Sequence, residues 1–322
     1  MNPISQIRLA VSVVVFLVLT AQTSSAQSAK EECSLAVVSR LMKSAQWVCD
    51  GKAVQEMARR GHAFEQNQLG IASVMAIGPD YDEKKALKWF EQSAQRGFPP
   101  AQVNLAVMYI NGWGTSVNYG VALHWLRAAA DQGFARAYYN LGFLFFEGKG
   151  VRQDYAEAFR WFQKGAEAND TDAQVDLGYM YDKGLGCLRS MTMAASWYRK
   201  AADAGSPLGE NNLADMYLRG DGVPQDNAEA FRLFQKAAAG GPTGARIKLG
   251  YMYAKGLGTA RDPEAAYTWI TSASLAGDPR GEYLLPSIEA LLTPRQISDA
   301  RQRARNVPFE HGQQLSAKVL AQ

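Results

Sequence analysis

Seven leucines, Leu69, Leu105, Leu141, Leu177, Leu213, Leu249 and Leu285, stand 36 residues apart with no insertion or deletion between them. Self-similarity of this period belongs to solenoids, whose units pack only on their neighbours. Number each of these leucines zero. Position −4 is then small (Ala101, Ala137, Ala173, Gly209, Ala245), as is +1 (Gly70, Ala106, Gly142, Gly178, Ala214, Gly250). Position +4 is aromatic in five units (Tyr109, Phe145, Tyr181, Tyr217, Tyr253). Offsets −4, 0, +1 and +4 fall on one stripe of a helix, helix A.

Helix A runs into paired glycines at +7 and +9, from Gly112 and Gly114 to Gly256 and Gly258. Glycine accepts positive φ and lets the chain leave a helix and turn back. Such G-x-G pairs cradle phosphate only between a strand and a helix; after a helix, five times over, they read as turns. At +13 comes a residue whose side-chain oxygen can cap a helix: Asp82, Asn118, Asp154, Ser190, Asp226 and Asp262. Asp154 with Glu157 and Asp226 with Glu229 have capping-box spacing.

Helix B follows, with alanine at +17 in six units (Ala86 to Ala266) and a tryptophan or leucine at +20. Another bulky residue stands at +21, and Gly97, Gly133, Gly205, Gly241 and Gly277 stand at +28. A turn near +8 sets offset zero against +16 or +17, so leucine meets alanine. The +20 indole is expected to fill the space toward the next hairpin. One hairpin cannot bury enough surface to stand alone, whereas a stack can.

The pattern A-x-x-x-L-G-x-x-Y-x-x-G-x-G-V-x-x-D-x-x-x-A-x-x-W-x-x-K-A-A resembles the Sel-one-like repeat, a cousin of the tetratricopeptide repeat. The unit from Ala137 to Asn169 carries it almost throughout: Leu141, Gly142, Phe145, Gly148, Gly150, Val151, Asp154, Ala158, Trp161, Lys164 and Ala166. The first unit departs most, with Ser73 and Ala76 in place of the aromatic and the first glycine. The resemblance implies an all-α, right-handed α-solenoid of about six helix-turn-helix repeats used for protein–protein contact.

The ends divide as follows. Residues 1–26 read as a secretory signal peptide: Arg8, then an apolar run from Leu9 to Ala21, then Ser24-Ser25-Ala26. That run is too short to span a membrane as a helix. Residues 27–64 form a capping segment, 65–280 the six repeats, 281–308 a half repeat with a capping helix that begins at Thr293-Pro294-Arg295-Gln296, and 309–322 a tail. The chain is expected to be periplasmic or secreted after cleavage, with no stable membrane span.

Export implies an oxidising compartment. In the 36-residue register Cys33 sits at zero and Cys49 at +16, facing positions where a disulfide would be well placed. On one straight helix from Glu31 to Val48 the two sulfurs would instead be about 24 Å apart, beyond bonding reach. Cys187, in a turn, is expected to be a free, half-buried thiol.

Composition narrows the partners. Without Arg8 the chain holds 33 basic and 31 acidic residues, a balance that gives nucleic acid no electrostatic hold. His62, His124 and His311 lack metal-ligand spacing, so neither a metal nor a cofactor is expected. Some proteins of the resembled family are described as binding or hydrolysing β-lactams, but no lysine here follows a serine by three. The chain therefore reads as a binding protein and not as an enzyme.

The concave face of stacked hairpins is lined by helix A, so binding residues are sought at helix A positions spared from packing. Offsets −2, +2 and +5 share a stripe that holds Val103 and Val107, then Tyr139, Phe143 and Phe146, then Tyr179. Such a stripe is either core or a recognition groove. Position −1 adds Asn104, Asn140 and Asn212, amides able to hold a peptide backbone or to bond the neighbouring hairpin. The expected role is an adaptor or regulator that grips another protein or peptide of the cell envelope. By resemblance, that partner could be the sensor domain of a histidine kinase. The alternative is a scaffold for secretion, motility or cell-wall machinery.

Overall fold

A computed structural model of the chain describes residues 51–75 and 81–307. The expected signal peptide lies outside them, as do Cys33 and Cys49. The described residues form fifteen helices and no strand, in two compact units. The first, over residues 51–154, holds α1 (Gly51–Arg59), α2 (Ala63–Met75), α3 (Glu83–Gln95), α4 (Pro99–Asn111), α5 (Tyr119–Ala130) and α6 (Ala135–Glu147). The second, over 155–307, holds α7 (Tyr155–Glu167), α8 (Thr171–Lys183), α9 (Met191–Asp203), α10 (Pro207–Arg219) and α11 (Asn227–Gly240). It continues with α12 (Thr243–Lys255), α13 (Pro263–Leu275), α14 (Arg280–Glu289) and α15 (Pro294–Arg305). Even-numbered helices from α2 to α14 carry the leucine ruler.

The two glycines of each turn do different work. Gly112, Gly148, Gly184, Gly220 and Gly256 end their helices in the left-handed conformation, which only glycine adopts at no steric cost. The second glycine also makes room. A Cβ on Gly186 would stand 2.1 Å from the Tyr155 carbonyl oxygen, and one on Gly222 would stand 2.3 Å from the Met191 carbonyl carbon. Each turn therefore rests on the first turn of the preceding repeat's helix B. A side chain at +12 closes the turn from the other side. Gln153, Arg189, Gln225 and Arg261 donate to the carbonyls of Phe146, Asp182, Leu218 and Ala254.

Helix B begins on the expected caps. Asp82, Asn118, Ser190, Asp226 and Asp262 each accept from the backbone N–H three residues on. The expected box at Asp226 is only half made, because Glu229 turns to Arg232 (2.8 Å from Nε). That hydrogen bond holds the Glu229 carboxyl below the usual range. Thr293 and Gln296 do form a reciprocal box at the start of α15.

The hairpin interior is filled from position +21, where Phe90, Leu126, Phe162, Tyr198, Phe234 and Ile270 are all buried. Where +1 is a bare glycine the +21 side chain closes on it: a Cβ on Gly70 would stand 2.5 Å from Phe90, one on Gly178 2.8 Å from Tyr198 and one on Gly250 2.6 Å from Ile270. Trp89, Trp125, Trp161 and Trp269 are half-buried. Trp125 packs on the core around Leu105 and Met108, and Trp269 on that around Leu249 and Met252. Burying each such ring contributes roughly 2–3 kcal/mol. At the C-terminal end, Arg301 on α15 donates to the buried Tyr267 hydroxyl at 2.9 Å and pairs with Glu289, tying α13, α14 and α15 together.

Candidate interaction surface

Of the two readings of the stripe, core or groove, the first unit shows a seam on which the next helix A rests. Asn104 on α4 donates to Asn67 on α2 at 3.0 Å, a bond from offset −1 to offset −2 of the preceding repeat. Lys248 on α12 repeats the relation in the second unit, reaching Asn211 and pairing with Asp215 on α10. Packed this way, Val103 and Val107 are buried, as are Asn104 and Asn140. In α6, Tyr139 is 0% exposed and Phe143 4%; Arg136 lies over the first ring and Lys149 over the second. Phe146 is half-buried. These residues of the first unit form no open aromatic groove. A helix apolar on nearly every face, like α4, belongs inside.

The second unit is different. Here the same stripe carries Tyr179 on α8, 38% exposed, and Tyr251 on α12, 47% exposed. Tyr179 and Asn212 come together in a half-open cleft of about 240 Å³, with Asp182 and Lys183 of α8, Met191 and Tyr198 of α9, and Asp215, Met216 and Arg219 of α10. Asp221, in the turn after α10, completes the wall.

Three causes shape this cleft. Gly178 lacks a side chain, so the Tyr198 ring closes on α8; a Cβ there would stand 2.8 Å from it. The turn glycine Gly184 directs the chain away directly after Lys183. Asn212 is short where the equivalent residue of the next repeat is Lys248, so the edge of Tyr179 stays uncovered.

The walls are charged but internally balanced. Asp182 pairs with Lys183 at 2.8 Å, Asp221 with Arg219 at 2.9 Å, and Asp215 with Lys248. Lys183 also lies 5.8 Å from the centre of the Tyr179 ring, an arrangement in which cation and ring attract. With its carboxylates paired, the cleft offers the flank of an aromatic ring, a methionine and the Asn212 amide, whose oxygen already accepts from the Asn211 side chain at 3.0 Å and whose N–H groups can donate. It is smaller than the roughly 300–1,000 Å³ clefts that take small molecules. It suits one or two side chains of a docked segment.

Among the described residues no group of three or more histidine, cysteine, aspartate or glutamate side chains is placed to hold a metal ion. Cys187 is a half-buried free thiol whose hydrogen points to the Met180 carbonyl at 3.6 Å. Burial pushes its pKa up, away from the thiolate that a nucleophile needs. No described helix is long and apolar enough to cross a membrane. Of the site residues read from sequence, the structure brings together Tyr179 and Asn212. It adds Met191, Tyr198 and Met216, whose apolar side chains carry no sign in the sequence of reaching a surface.

The Sel1 repeat family model matches six consecutive segments: 66–98, 99–134, 135–170, 171–206, 207–242 and 244–278. Among solved structures, the chain is similar to c5321, a protective antigen of uropathogenic Escherichia coli strains with an SLR fold. Identity is 32% and the TM-score 0.66, over 87% of this chain and 62% of that one. The present chain thus spans less than two thirds of the antigen. It is also similar to a Sel1 repeat protein from Oxalobacter formigenes, at 30% identity and a TM-score of 0.65, over 76% of this chain and 95% of that one. No match was found among curated proteins.

Proposed function

The chain belongs to the Sel1 repeat family, whose members are protein-interaction modules, and on that premise we propose that it is an exported adaptor or regulator. Its partner is another protein of the cell envelope, held through the second unit. The observation that carries this reading is the cleft at Tyr179 and Asn212, where an aromatic flank and an amide face solvent while the equivalent side chains of the first unit are buried. A docked aromatic or aliphatic anchor in such a pocket supplies most of the energy of a typical interface. The signal-like residues 1–26 support export. The description of a 32%-identical relative as a protective antigen agrees with export.

The test is a paired substitution, Tyr179→Ser with Asn212→Ala, in affinity capture from the native host. The expected result is loss of the partner with unfolding by urea nearly unchanged, since neither side chain lies in the core. Capture that survives the double substitution rejects the cleft as the binding site.

A further inference from the structure

One helix A position, three residues before the ruler leucine, performs the same task in four repeats; in the third it is Tyr138. Gln66 donates to the Ala58 carbonyl at 2.9 Å, Gln102 to Ala94 at 3.4 Å, Gln174 to Ala166 at 3.3 Å, and Arg246 to Ala238 at 3.3 Å. The acceptor is always eight residues earlier, in the last turn of the preceding helix B. Carbonyls there have lost their helical partner. The loop N–H of Gly61, Gly97 or Asn169 fills one lone pair of the first three. The side chain from the next repeat fills the other.

Glu210 occupies this position in the fifth repeat, eight residues after Ala202. The Ala202 carbonyl accepts from the Gly205 N–H at 2.9 Å like its counterparts. Its second donor would be Glu210, and an ionised carboxylate has no hydrogen to give. Glu210 is 7% exposed; its backbone N–H donates to the Ser206 carbonyl at 2.9 Å, while its carboxylate makes no hydrogen bond or ion pair among the described residues. The backbones are close at this point, since a Cβ on neighbouring Gly209 would stand 2.7 Å from Ala201 Cβ. On α11, Lys236 and Arg232 act on Glu210, and Asp203 at the end of α9 acts on the same Arg232.

We infer that Glu210 is a buried proton-binding site: once protonated, its carboxylic acid donates to the Ala202 carbonyl and completes the rung that glutamine or arginine makes elsewhere. Burial raises the Glu210 pKa against the pull of Lys236 and Arg232, in the direction this requires. The rung joins α9 to α10, two of the three helices that line the cleft, so proton uptake tightens the frame that holds Met191, Tyr198 and Asn212. Acidification therefore firms the surface assigned above to the partner. That consequence rests on the binding reading; the proton site does not.

The experiment compares the native chain, Glu210→Gln and Glu210→Ala by thermal unfolding from pH 7.5 to pH 4, without a partner. Glutamine donates at every pH. E210Q is expected to melt above the native chain at pH 7.5, by about 2–4 °C for one restored hydrogen bond. The gap should close as the pH falls toward 4, while E210A gains no such advantage. A carbon-13 titration of the Glu210 carboxyl should show a midpoint above that of an exposed glutamate. A gap that does not change with pH, or an E210Q chain less stable than the native one at pH 7.5, overturns the inference; the latter means that Lys236 closes on the ionised carboxylate. Because no partner is present, the outcome is independent of whether the cleft binds anything.

Discussion

Asn104 and Asn67 lie 37 residues apart in sequence and share a 3.0 Å hydrogen bond between buried side chains, from α4 to α2. The bond marks the seam between successive ruler helices. Replacing Asn104 by alanine leaves a buried amide oxygen on Asn67 without its donor and should cost about 1–3 kcal/mol. The double change Asn67→Ala/Asn104→Ala should cost less than the sum of the single changes by about 1 kcal/mol. Urea unfolding of the four chains measures this coupling. Strict additivity would show that the contact is incidental.

Two glycines with left-handed backbones separate conformation from space. Gly205 has φ 80° and open space where a Cβ would go; Gly186 has φ 67° and the Tyr155 carbonyl 2.1 Å away. Gly205→Ala should cost only the conformational penalty, about 1–2 kcal/mol. Gly186→Ala should cost a further 1–3 kcal/mol or so, because the turn must lift off α7. Equal losses in the two chains would contradict the account of the second turn glycine.

Asp278 supplies a pH dependence of opposite sign to that of Glu210. The Arg280 guanidinium, 2.7 Å from its carboxylate, holds the Asp278 pKa below the ordinary value. A depressed carboxylate stabilises the fold above its unfolded pKa of about 3.9 and loses that contribution as the pH falls through the lower folded value. Asp278→Asn should therefore destabilise the chain at pH 7, by about 2 kcal/mol for a charge-assisted hydrogen bond to a buried group. The difference from the native chain should shrink as the pH falls below the unfolded value and the carboxylate takes up its proton. A loss that is the same at pH 3 and pH 7 would rule out the ion pair as its source.

Much of this fold is legible from residues whose meaning is local. Leu177 with Gly178, the pair Gly184 and Gly186, and the caps Ser190 and Asp226 each name their own conformation, and the period places them in space. What periodicity does not reveal is which neighbour an apolar side chain meets. A helix A packs on its own helix B, on the helix B of the preceding repeat and beside other A helices, and offsets −4, 0, +1 and +4 account only for part of its surface. Val103 and Val107 look the same in a sequence whether they line a groove or a seam. The Asn104–Asn67 bond shows that they sit beside a seam. Likewise Trp197 and Tyr198 are adjacent and bulky; the empty side of Gly178 selects the tyrosine as the plug. Tyr179 on the stripe and Asn212 beside it at position −1 are recognisable singly as polar-edged residues. Their cleft is not, because it depends on Asn212 being shorter than Lys248 at one seam.

The account turns on the second unit's helix A surface being where a partner sits. A photoreactive phenylalanine analogue at position 179, compared with one at the 86% exposed Tyr283 on α14, tests this most directly in the native host. The account predicts a discrete protein adduct from position 179, abolished by Asn212→Ala, and none from position 283. An adduct from position 283 with none from position 179 would contradict it.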